Sequence, residues 1–177
     1  MVTDEDERRE LALSQLDSVV ERRMRVDDEL LDAMAYALEC KATRNEVARR
    51  VPVLSRPTVL SVLNLIDLKD EVNRALAEAG IPVPTSDGTE AVWLFIVSKP
   101  RRGLTIQHDS NTLEDGGEPG SPGRRAAAER VAGKVVPVLY DAGFELAAGK
   151  LRLTRDDAAT AFGDPESTLW VLPAQKA

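Results

Sequence analysis

Apolar residues recur at helical spacing through the first 80 positions, and the pattern then shortens to strand-like runs. Leu13, Leu16, Val20 and Met24 lie three or four apart and predict an amphipathic helix over 5–25. Leu30, Leu31, Met34, Ala35 and Leu38 make a second stripe. Asp27 or Asp28 is placed to cap it, and Lys41 stands near its end, where a cation suits the helix dipole. Thr43, with Glu46 three residues on, is a capping-box signature for a short helix reaching Val51, which Pro52 stops. Ser55 caps the next helix, with Pro57 in its first turn, where a missing N–H does no harm. Asp67, Asp70 and Glu71 ahead of Val72, Ala75, Leu76 and Ala79 predict one more helix, closed by Gly80.

Residues 81–90, IPVPTSDGTE, read as a linker because two prolines, a glycine and small polar residues disfavour helix and strand alike. Beyond it, AVWLFIVS predicts a buried strand and LTIQH a shorter one, joined as a hairpin through KPRRG. The Gly-, Pro- and acid-rich segment 109–123 predicts a mobile loop. Arg124 to Ala142 reads as a helix that Pro137 kinks or shortens and Gly143 ends. FELAAGKLRL predicts a strand or hairpin, DDAATAF a short helix and STLWVLP a final strand. Trp93 and Trp170, in apolar strands, are expected in the core. The fold class that follows is α+β: an all-α N-terminal bundle over 1–80, then a small sheet domain over 91–177 with helices on one face.

Composition narrows the function classes. With 43% hydrophobic and 30% charged residues, the chain belongs with globular proteins. No apolar run approaches the roughly 20 residues that span a bilayer, and the acidic start MVTDEDERRE is unlike a secretory signal, so a cytoplasmic setting is expected. The single cysteine, Cys40, forms no internal disulfide and is expected to pack at the end of its helix. His108 is the only histidine and has no triad or metal-ligand spacing around it; no P-loop or dinucleotide fingerprint occurs either, and no enzymatic activity or cofactor is expected. The acid pairs Asp27–Asp28 and Asp156–Asp157 precede helices and read as caps.

Charge is distributed unevenly. The formal net charge is −7, yet Lys41, Arg44, Arg49, Arg50 and Arg56 against Glu46 give residues 41–64 a local +4, which leaves −11 elsewhere. Such a chain does not coat nucleic acid with its whole surface, but it is able to aim one face at it. The segment TRNEVARRVPVLSRPTVLSVL, 43–63, supplies what a helix-turn-helix requires. Ala48 is small inside the first helix, Val51 with Val53 or Leu54 fills the turn, and Val59, Leu60 and Leu63 anchor the second helix. It resembles the helix-turn-helix of bacterial and phage transcription regulators and of DNA recombinases. It departs from that pattern in Pro52, where glycine is common, and in an Ala48–Ser55 interval one residue longer than usual.

The resemblance implies sequence-specific contact with double-stranded DNA. Lys41, Arg44, Arg49 and Arg50 would meet phosphates, and Ser55, Arg56, Thr58, Ser61 and Asn64 would form the outward face of the second helix. Lys99, Arg101 and Arg102 crowd the hairpin tip, where a solvated turn is the default expectation and a phosphate contact in place of a wing the alternative. A homodimer is compatible with this reading, and the sequence names no effector. Two other readings stay open: a three-helix bundle that uses the same pattern only to pack, and a non-enzymatic interaction module of phage or plasmid origin. Arg124 and Arg125 open a helix, where positive charge opposes the dipole unless an anion sits there; solvated arginines are the default expectation.

Overall fold

A computed structural model describes residues 29–81, 92–97, 102–108 and 120–173, with isolated residues 15 and 27. The chain divides into two compact units, Met1–Leu63 and Asn64–Ala177. Of the helix expected over 5–25 only residue 15, helical and exposed, is described, and most of the expected linker and loop, 82–90 and 109–119, lies outside the described residues.

In the first unit, α1 (29–39) ends in a left-handed turn. The Lys41 N–H donates to the Leu38 carbonyl at 2.9 Å and that of Ala42 to Ala37 at 3.0 Å, so two terminal carbonyls are satisfied. α2 (Arg44–Arg50) opens with the capping box expected of Thr43 and Glu46. α3 (Arg56–Glu78) follows a turn at 52–54. Met34, Val47, Val51, Val59, Val62 and Leu63 are buried, whereas Val53, one of the expected turn fillers, is 79% exposed.

α3 corrects the expectation of two successive helices. It runs without a break for 23 residues, because no proline or glycine falls between Thr58 and Ala79. Asp67, read as an entry signal, lies inside it. The buried stripe is Val59, Val62, Leu63 and Ile66, then Val72 and Leu76, and Leu60 is only half-buried. Gly80 closes the helix as expected: it takes φ 71°, and the Ile81 N–H reaches back to Leu76 at 2.9 Å.

The second unit is a five-stranded antiparallel sheet in the order β1-β2-β5-β3-β4, with β1 (Val92–Val97), β2 (Gly103–His108), β3 (Phe144–Ala148), β4 (Leu151–Arg152) and β5 (Thr168–Pro173). α4 (Pro122–Asp141) connects β2 to β3, and α5 (Arg155–Phe162) connects β4 to β5. The chain is thus α+β, as the pattern indicated. Register puts Leu94, Ile106 and Leu169 on one face, with Leu104, Val171 and Leu146 beside them. These residues share a core with Val135, Val136 and Leu139 of α4, Phe162 of α5, and Val72, Leu76 and Ile81.

Several local expectations change. α4 starts at Pro122, capped by Ser121, so the loop expected to reach 123 gives way earlier. Pro137 does not shorten α4, which runs on to Asp141; the carbonyl whose donor it removes belongs to exposed Gly133, where water is available. Trp93 and Trp170 are half-buried on the sheet face opposite the core, not within it. Cys40 is exposed and does not pack.

Candidate nucleic-acid interface

The candidate interface is built on the first unit, where two caps set its ends. The Glu46 carboxylate accepts from the Thr43 N–H at 2.7 Å and from its hydroxyl at 2.6 Å, while the Glu46 N–H donates back to the Thr43 hydroxyl at 3.3 Å. Those bonds, the hydroxyl first and the backbone N–H second, hold the Glu46 pKa below its ordinary value, with smaller help from the charges of Arg49 and Arg50. The single acid of the segment is therefore committed to the helix end. Ser55 caps α3, accepting from the Thr58 N–H at 3.3 Å and sharing a 2.8 Å bond with its hydroxyl.

Asn45, which the sequence did not single out, ties α2 to α3. Its amide oxygen accepts from Arg56 Nη2 at 2.7 Å, and its main-chain carbonyl accepts from Arg49 Nε at 3.3 Å. No local pattern announces a pair eleven residues apart; the turn creates it. Arg56 is consequently held in place while exposed, with guanidinium donors beyond the one given to Asn45.

Lys41, Arg49, Arg50, Ser55, Arg56 and Asn64 are exposed, and Arg44, Thr58 and Ser61 are half-buried. At 100° per residue, the direction opposite Val59, Val62, Leu63 and Ile66 is taken by Pro57, Ser61 and Asn64, with Arg56 and Thr58 on its two flanks. Ser55 and Thr58 spend hydroxyl capacity on each other. Asn64 lies just past the unit division and Arg102 in the second unit, where it is exposed; Lys99 and Arg101 lie outside the described residues.

Beside this face, α1 and α2 enclose an open groove of about 870 Å³ with Leu30, Met34, Val47 and Val51 in its lining and Arg49 and Arg50 on its margin. Among the described residues, no group of three acidic, histidine or cysteine side chains is placed to hold a metal ion, and no helix is long and apolar enough to cross a membrane. No protein-family model, curated protein or solved structure matches the chain.

Proposed function

We propose that this chain is a sequence-specific DNA-binding protein of the cytoplasm, a transcriptional regulator or phage-type repressor, whose contact surface is residues 41–64. The observation that carries the reading is the concentration of exposed cations there. Arg49, Arg50 and Arg56 stand around one capped helix-turn-helix segment whose only acid is engaged with Thr43, in a chain of net charge −7. Lys41, Arg44, Arg49 and Arg50 hold phosphates. Arg56, fixed by Asn45 at the start of α3, reaches a base edge, with Thr58, Ser61 and Asn64 as lesser contacts. Arg101 and Arg102 add a phosphate contact from the sheet unit, and that unit serves dimerisation or ligand sensing.

Titration on one duplex at several salt concentrations tests the reading. Three or four phosphates neutralised per bound chain give a slope of log K against log salt of about −3 to −4, and Arg49→Ala makes it shallower by about one. Arg56→Ala narrows discrimination between a selected site and random DNA by about 1–3 kcal/mol. The apolar groove between α1 and α2 favours a second reading, an interaction module that receives a protein segment. A flat salt response in wild type would select it.

A further inference from the structure

The second unit holds a built polar cavity that the DNA reading does not use. At the end of the sheet where β1 and β5 begin and β2 finishes, His108, Arg124, Ser167 and Glu166 line a cavity of about 250 Å³, with Trp93 and Phe95 among its walls. Buried side-chain atoms without a hydrogen-bond partner are few among the described residues, and three of them belong to this lining: His108 Nδ1, Arg124 Nε and Ser167 Oγ. Native interiors rarely leave such groups unpaired, and the three residues that carry them line one cavity, where a water or a small molecule would supply the missing partner.

Each group specifies part of that partner. His108 is only 6% exposed; its ring stacks on Phe162 at 4.2 Å, and its Nε2 bonds to the Phe162 carbonyl at 2.5 Å. A carbonyl only accepts, so Nε2 carries the proton and neutral His108 offers Nδ1 as an acceptor. Arg124 has a side chain only 12% exposed, against the expectation of a solvated arginine. It lies in the first turn of the 20-residue α4, a turn without an acid, where helix N–H groups add positive potential. Its one ion pair among the described residues, with Glu166 at 3.6 Å, is to a carboxylate 72% exposed and hence screened. Arg124 Nε and the Ser167 hydroxyl thus call for an anionic oxygen, whereas His108 Nδ1 and the Glu166 carboxylate call for a donor. Trp93 and Phe95, their rings 6.2 Å apart and 28° from parallel, supply an apolar wall.

We propose that this cavity binds a small amino acid or hydroxy acid, its carboxylate on Arg124 and Ser167 and its ammonium or hydroxyl group on His108. The volume lies below the roughly 300 Å³ at which drug-sized pockets begin, which suits a molecule of that size.

The experiment uses the full chain with Trp170→Phe, so that Trp93 alone reports by fluorescence, and follows melting temperature in parallel. Four probes are titrated at pH 7.5: phenylalanine, phenyllactate, 3-phenylpropionate and inorganic phosphate. Phenylalanine or phenyllactate is expected to shift Trp93 emission saturably and raise the melting temperature, with 3-phenylpropionate, which has no donor, and phosphate each at least about tenfold weaker, the equivalent of about 1.4 kcal/mol. Arg124→Gln and Ser167→Ala should each weaken binding by about tenfold or more; the serine variant removes only a hydroxyl and decides the matter if the arginine variant fails to fold. Equal binding of 3-phenylpropionate or phosphate would overturn the assignment, as would no saturable response to the amino and hydroxy acids, or binding unchanged in a folded variant.

Discussion

Lys41 is the one non-glycine among the described residues with a positive φ, 66°, and it sits at the position after α1 where glycine is usual. A side chain in that conformation costs about 1–2 kcal/mol. Lys41→Gly, despite the extra freedom it gives the unfolded chain, should therefore stabilise the first unit by about 0.5–1 kcal/mol; under the proposed function it would also weaken DNA binding, a separation that thermal melts and salt titrations read independently. A loss of stability would mean that the lysine side chain holds the turn. The lone histidine offers a second test at this scale. Burial lowers the His108 pKa and Arg124 lowers it further, against the raising effects of the Phe162 carbonyl and Asp164; the net shift is below 6.5. A base whose folded pKa is depressed takes up protons more readily when unfolded, so the His108 contribution to stability is lost as pH falls below 6.5 toward the folded pKa. A proton NMR titration of this only imidazole gives the sign directly: a midpoint at or above 6.5 would contradict the burial argument.

At the scale of elements, the sequence reports hydrophobic period well and the assignment of faces poorly. The capping box at Thr43, the stops at Gly80 and Gly143 and the β1–β2 hairpin were legible because each rests on local backbone chemistry. The unbroken α3 was not, since Asp67 has the same residue type in a cap as in a helix interior, and only packing decides. Strand β1, VWLFIV, reads as apolar on both sides, yet Val92 and Leu94 are buried while Phe95 is 42% exposed, because the helices cover one face. On the other face Trp170 lies over Gly103 so closely that a Cβ there would come within 2.7 Å of its ring. Gly103→Ala should push the indole away and cost about 1–3 kcal/mol, seen as a lower melting temperature with a shift in tryptophan emission. An unchanged spectrum and stability would show that the ring does not depend on the glycine. The candidate interface divides similarly: its charges were readable, but the Asn45–Arg56 bond that orients one of them depends on a turn geometry no spacing encodes.

Over the whole molecule, the division between Leu63 and Asn64 falls inside α3, seventeen residues before the segment the sequence marks as a linker. The core explains why. Val72 and Leu76 are fully buried and Ile81 is 8% exposed, and all three belong to the cluster that also contains Leu104, Ile106, Leu139 and Phe162. Burying each such side chain stabilises by about 1.5–3 kcal/mol, so the three together supply about 5–9 kcal/mol, comparable with the entire stability of a typical domain at about 5–15 kcal/mol. A chain that begins at the linker therefore lacks a structural part of the sheet unit. Two truncations separate the possibilities. Residues 64–177 should melt cooperatively near the temperature of the sheet unit in the full chain, whereas 82–177 should show a broad, weak transition and bind hydrophobic dye. Cooperative folding of 82–177 at equal stability would return residues 64–81 to the helical domain and put the boundary at 81–90, where the sequence alone places it.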